Sequence, residues 1–253
     1  MKIIKKDIII NFVRKIVTKI VLKNQIFPSN ITLASNFIYT QDIEGDYLEF
    51  GCFRGESFID AYKNIFNAEV FWQSNDRKKK AFSKNVQNLD FYIKKYNRKF
   101  FGFDSFKGLP KPEGIDLNHH LFKEGRYDCS KEEFVKIIKR AKLDLSKIKL
   151  VEGFYEDSLT QEIKQKLDLN KAAIVMIDCD LYKSTIKVLN FITDLLQEGT
   201  IIIFDDWFNY KSNPNKGEQK ACYEWLNNNS NIKLIEYGNN LLTQKMFIVN
   251  IIK

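Results

Sequence analysis

The stretch Tyr47-Leu48-Glu49-Phe50-Gly51-Cys52-Phe53-Arg54-Gly55-Glu56-Ser57 decides how the rest of the chain is read. An apolar strand over residues 46–53 runs into glycine, and a helix over residues 56–66 opens directly after it. Gly51 and Gly55 allow a sharp turn, let the backbone approach a ligand closely, and let the helix begin tight against the strand. The spacing is GxxxG, whereas a dinucleotide pyrophosphate calls for GxGxxG. A nicotinamide cofactor is therefore disfavoured.

Outward from this turn, strand and helix alternate. Strands are predicted over 99–106, 147–152, 172–178 and 200–205, and helices over 131–141, 184–196 and 217–226. Residues 232–237 and 246–252 close the chain as two strands with no helix between them. This pattern predicts an α/β fold: a mostly parallel seven-stranded sheet with helices on both faces and an antiparallel edge. Ligands in such sheets bind beyond the carboxyl ends of the strands. Glu49, Asp104, Gly153, Asp178 and the Asp205-Asp206 pair all stand at those ends.

The chain has 253 residues, 44% of them hydrophobic and 28% charged, which suits one large globular domain rather than disorder. We assign residues 41–253 to that domain and residues 1–40 to an amphipathic helical cap, in which Ile4, Ile8, Phe12, Ile16 and Ile20 recur between lysines. The cap is expected to pack on the domain or on a partner subunit of a homo-oligomer. A basic amphipathic helix also has the chemistry for weak association with an anionic membrane surface. No apolar run reaches the ~20 residues of a bilayer span and no signal peptide is recognisable, so a cytoplasmic location is expected. Net charge is +8, but the lysines are spread along the chain apart from Lys78-Lys79-Lys80, which favours a solvated surface over nucleic-acid binding. Cys52, Cys129, Cys179 and Cys222 form no CxxC pair and are expected as free, largely buried thiols. Residues 67–97, aromatic and basic, exceed a usual connection and predict a further helix or a cover over the site.

The E-x-G-x-x-x-G turn suits S-adenosylmethionine, whose ammonium the Glu49 carboxylate would hold directly or through water. Phe53 in the turn and Ser57 at the start of the helix join Glu49, Gly51 and Gly55 as candidate cofactor contacts. Asp104, ending the second strand beside Ser105, would accept the ribose hydroxyls, and Gly153-Phe154 would line the adenine edge. Strands four and five end in Asp178-Cys179-Asp180 and Asp205-Asp206-Trp207. In a parallel sheet those carboxylates meet at one edge, and their mutual repulsion is relieved by a hard divalent cation such as Mg²⁺. Asp180 ranks below the other three, since it also suits a capping role.

These segments, together with Phe103-Asp104-Ser105-Phe106-Lys107-Gly108-Leu109-Pro110 and Asp178-Cys179-Asp180-Leu181-Tyr182-Lys183-Ser184-Thr185, follow the order seen in the macrocin and mycinamicin sugar O-methyltransferase family, which residues 40–230 resemble. The resemblance implies a Rossmann-like class I methyltransferase that methylates a sugar hydroxyl with S-adenosylmethionine and Mg²⁺. It puts Asp178, Asp205 and Asp206 on the metal, with Asp178 also in the catalytic and cofactor sets. It further implies a histidine base between strands two and three, where His119 and His120 are the chain's two histidines; it does not choose between them. The acceptor is expected to be a small-molecule sugar, nucleotide-linked or from surface-polysaccharide or natural-product biosynthesis, and macrolide-like acceptors are equally compatible with these motifs. A nucleic-acid methyltransferase and a non-catalytic cofactor-binding scaffold are the rival readings; no Asn-Pro-Pro-aromatic signature supports the first.

Overall fold

The computed structural model describes residues 28–73, 97–117, 119–238 and 242–252. The isoleucine-rich stretch of residues 4–20, the lysine run and most of the 67–97 connection lie outside them.

Helix α1 (Asn30–Thr40) begins where the Ser29 side chain accepts from the Thr32 amide. Then follow β1 (Asp46–Phe50), α2 (Glu56–Gln73), β2 (Phe100–Asp104), α3 (Lys131–Arg140) and β3 (Ile148–Glu152). After these come α4 (Tyr155–Ser158), α5 (Gln161–Leu167), β4 (Ala172–Ile177), α6 (Tyr182–Ile192), β5 (Ile201–Phe204), α7 (Gly217–Asn228), β6 (Ile232–Glu236) and β7 (Lys245–Ile251). The strands and helices expected between residues 46 and 252, outside the 67–97 connection, are present. Two short helices between β3 and β4 are additional: α5, capped by Thr160, has too few residues to display an apolar period. Helix α3 carries its own start and stop signals, with Ser130 accepting from the Glu133 amide, acids in the first turn and Lys139-Arg140 in the last.

The seven strands lie in the order β3-β2-β1-β4-β5-β7-β6. Strands β1 to β5 are parallel, and β7 runs antiparallel between β5 and β6. Central β4 is buried throughout, as a strand covered on both faces must be, whereas edge strand β3 buries Ile148 and Val151 and exposes Lys149 and Glu152. Leu48, Phe50, Phe103, Ile177 and Phe204 pack on one face against α6 and α7. Tyr47, Phe100, Ile174 and Ile203 pack on the other against α1, α2 and α3. Ala34, Ile38 and Tyr39 of α1 are buried in that second core. All four cysteines are free and buried. Among the described residues, no helix is long and apolar enough to cross a membrane.

Strand order reverses between β1 and β4, which opens a crevice at their carboxyl ends. The register puts Phe103, Phe50, Ile177 and Phe204 in one row across the sheet. The next row is therefore Asp104, Gly51, Asp178 and Asp205. Backbone bonds continue the ladder through it: the Gly51 amide donates to Phe103, that of Asp178 to Phe50, and that of Asp205 to Ile177, each at 2.9 Å.

Gly51 has a φ of +89°, and a Cβ there would lie 1.7 Å from the Asp178 carbonyl oxygen. Gly51→Ala is expected to cost at least ~3 kcal/mol, a fall in Tm of roughly 6–12 °C for a domain of this size, read by thermal unfolding. An unchanged Tm would show that β1 and β4 are not this close.

Candidate active site

A cavity of about 280 Å³ opens over the row of strand ends. Gly51, Phe53, Asp104, Ser105, Gly153, Phe154, Asp178, Asp205 and Asp206, all expected at the site, are on its wall. The Asp104 side chain ties the glycine loop to β2. Its Oδ2 accepts from the Cys52 amide (2.6 Å) and the Phe53 amide (3.1 Å), and its Oδ1 from the Phe106 amide (2.7 Å). A carboxylate offers about four lone-pair positions, so these bonds leave roughly one for a ligand. Phe53 sits at a φ of +41°, its ring meeting Tyr127 edge-on with centroids 5.8 Å apart.

Glu49, Gly55 and Ser57, expected to touch the cofactor, stand one layer behind the wall. Glu49 is fully buried; its carboxylate accepts from the Tyr47 hydroxyl and, at 2.7 Å, from the Ser57 hydroxyl. Tyr47 and Glu49 share a sheet face by strand alternation, and one turn of α2 brings Ser57 to the same oxygen pair. Burial pushes the Glu49 pKa up to about 8. The missing Gly55 Cβ makes room for Phe134 of α3, whose ring would be 2.8 Å away. That glycine serves helix packing.

Asp178, Asp205 and Asp206 each offer a carboxylate oxygen within 4.8 Å of the others. Parallel β4 and β5, in register, deliver the first two, and the turn after β5 brings in the third. Asp205 accepts from Gln244 Nε2 at 2.6 Å, and Asp206 accepts from the Asn209 amide group. Among the described residues, Asp206 Oδ2 is buried with no hydrogen-bond partner of good geometry, and Asp180 stands beside this carboxylate. Burial, then the charges of Asp205 and Asp206, raise the Asp178 pKa well above the carboxylate range. Burial followed by Asp205 raises Asp206 to about 7. A set of close, desolvated, incompletely satisfied oxygens fits a hard divalent cation, which would supply the missing positive charge. Asp180, at a φ of +62°, lies on the same wall but outside this trio.

The histidines line a neighbouring cavity of about 540 Å³ that shares Asn209 with the first. His119 touches the first cavity's wall by stacking on Phe122, at a centroid distance of 4.1 Å. Burial, then the neighbouring His120 and Lys216, lower its pKa. Tyr127, Glu156 and Asn209 are also on the wall, Gln244 bonds to Asp205, and all four escape the sequence reading. Glu156 could have been sought three residues after Gly153; Gln244 carries no local signal, because β7 brings it back from the far end of the chain.

Raised carboxylate pKa values mean that the folded protein holds protons the unfolded chain has released. Stability therefore falls as pH rises. With divalent metal withheld, Tm is expected to drop from pH about 4, the ordinary carboxylate value, through about 7, the value for Asp206. Added Mg²⁺ is expected to flatten that fall in thermal scans, and a pH-independent Tm would contradict the burial of these charges.

The sequence model of the macrocin-O-methyltransferase (TylF) family matches residues 88–224, more than half of the chain. No curated protein matches it. Among solved structures, the O-methyltransferase NovP superposes with a TM-score of 0.60 at 18% identity, covering 87% of this chain and 77% of that one. The calicheamicin methyltransferase CalS11 gives 0.58 at 20% identity, covering 86% and 77%. An O-methyltransferase from Bacillus cereus, solved with SAH, gives 0.51 at 14% identity, covering 89% and 81%. At these identities the superpositions establish the fold alone. The family match, made on a chain whose sheet order and cavity are those described above, identifies this protein as a member of the macrocin-O-methyltransferase family and an S-adenosylmethionine-dependent O-methyltransferase.

Proposed function

We propose that the enzyme methylates a hydroxyl of a small-molecule sugar, with a divalent cation, Mg²⁺ by its donor chemistry, held by Asp178, Asp205 and Asp206. The observation that supports this most is the meeting of three carboxylate oxygens within 4.8 Å on the wall that the glycine loop also lines. A neighbour sharing the fold, CalS11, is described as a TDP-rhamnose 3'-O-methyltransferase, which is consistent with a sugar acceptor.

S-adenosylmethionine supplies an electrophilic methyl group, and a divalent cation lowers the pKa of an alcohol it coordinates. Gly51, Phe53, Asp104, Ser105, Gly153 and Phe154 would hold the adenosyl cofactor, while Glu49 and Ser57 brace the loop from behind. Among the described residues, this wall carries carboxylates and no Lys, Arg or His, which suits a cationic cofactor. Aromatic Phe53, Phe122, Tyr127 and Phe154 limit water around the reacting oxygen. The hydroxyl proton is assigned to the His119–His120 pair. The lowered pKa of His119 keeps its ring neutral near pH 7 and ready to accept.

The test is release of S-adenosylhomocysteine from a panel of free and nucleotide-linked sugars, with Mg²⁺ or with EDTA. Asp178→Asn and Asp205→Asn are expected to lose at least about 100-fold in metal-dependent turnover while still binding S-adenosylmethionine. Turnover that persists in EDTA would remove the metal from the mechanism. Glu49→Gln is expected to leave cofactor affinity nearly unchanged; a large loss would put the Glu49 carboxylate on the ammonium after all. If His119 is the base, His119→Ala abolishes turnover and the acid limb of kcat/KM lies below the ordinary histidine value of about 6.5. If only His120→Ala is inactive, the base is His120.

A further inference from the structure

The two cavities that meet at Asn209 carry opposite charge. Among the described residues, six carboxylates line the first, those of Asp104, Glu156, Asp178, Asp180, Asp205 and Asp206, and no basic residue does. The second is lined by Lys211, Lys216, His119 and His120 and, among the described residues, by no carboxylate. Both lysines are exposed, and neither makes an ion pair among the described residues. The acid behind this wall, Asp116, is already engaged. Its Oδ1 accepts from the Tyr210 hydroxyl at 2.8 Å and its Oδ2 from the Tyr182 amide at 3.0 Å. His119 Nδ1 is buried and has no hydrogen-bond partner among the described residues.

The backbone that presents the lysines is strained. Tyr210, Lys211 and Ser212 have φ values of +56°, +57° and +56°, a left-handed turn in a run with no glycine. Each such residue costs about 1–2 kcal/mol, so the turn persists because its surroundings hold it. The Tyr210 hydroxyl is anchored on Asp116, and its ring lies where a Cβ on Gly217 would be, 2.7 Å from the nearest ring atom. On its other side the ring packs against His119, with centroids 4.3 Å apart. The anchored turn places Lys211 on the cavity wall, and the residues that follow place Lys216 beside it.

We propose that this second cavity is an anion subsite that takes the diphosphate of a glycosyl diphosphate acceptor, with Lys211 and Lys216 as its charged contacts. The inference rests on the reading of the enzyme as a sugar O-methyltransferase and names the class of sugar. Ammonium groups bind phosphate oxygens as point charges, and the carboxylate-lined cavity repels them. The charge difference thus fixes which end of the acceptor enters which cavity: diphosphate among the lysines, sugar past Asn209 toward the aspartates. Nucleotide-linked and lipid-linked sugars share this diphosphate.

The test begins with calorimetric titration of inorganic pyrophosphate into the full-length protein in EDTA, so that no chelated cation can recruit the anion to the aspartates. Wild type is expected to bind, more weakly as salt rises. The double variant Lys211→Ala/Lys216→Ala is expected to bind at least ten-fold less tightly, with S-adenosylmethionine affinity unchanged as the check on folding. No binding to wild type, or equal binding to the variant, overturns the proposal. UDP and farnesyl diphosphate then compete with pyrophosphate. The better competitor identifies a nucleotide or a lipid source, and displacement by neither overturns the proposal. The two readings fail separately. If no sugar yields S-adenosylhomocysteine while lysine-dependent pyrophosphate binding persists, sugar methylation falls and the anion subsite stands. If a phosphate-free sugar is methylated with the same kcat/KM as its nucleotide-linked form, in wild type and double variant alike, the subsite falls and sugar methylation stands.

Discussion

The site depends on one geometric constraint, the parallel register of β2, β1, β4 and β5. Because Phe103, Phe50, Ile177 and Phe204 share a row, the residues after them emerge side by side at one sheet edge. Three amide-to-carbonyl bonds carry the ladder into that row, so Gly51, Asp178 and Asp205 are held by backbone rather than by side-chain packing. A shift of one residue in a single strand would reverse its side chains and remove its contribution to the site. The apolar cores on the two faces, each packed by its own helices, are what hold the register.

The same geometry concentrates charge. Driving Asp178, Asp205 and Asp206 together at a partly buried edge raises their pKa values and lowers stability at neutral pH. Such a cost is characteristic of a site built for a ligand of opposite charge. The neighbouring cavity shows the reverse polarity, and its lysines sit on a strained turn anchored through Tyr210 and Asp116. Two adjacent pockets of opposite sign share Asn209, and on the proposal made above they would orient a polar ligand as well as bind it.

Much of this was legible beforehand, because strands buried on both faces write themselves as continuous apolar runs and their ends are marked by abrupt polarity. Ala172–Ile177 followed by Asp178, and Ile201–Phe204 followed by Asp205-Asp206, are such cases. The short helix Gln161–Leu167 was not legible, since seven residues scarcely complete two turns of period. Nor was the layer in which a side chain lies. Glu49 looked like a ligand contact because it stands before the glycine turn, yet strand alternation turns it toward Tyr47 and Ser57, behind the cavity.

By itself, then, the sequence determined the α/β alternation and which residues stand at the strand ends, the three aspartates among them, because these follow from local period and from residue type. Only the tertiary structure decided which of those residues reach the cavity, that Asp104 is largely occupied with loop amides, and that the histidines line a separate basic pocket. Gln244 and Lys216 joined the site from late in the chain for the same reason. Such outcomes depend on which segments the sheet order makes neighbours, and contacts between segments far apart in the chain leave no periodic mark in either one.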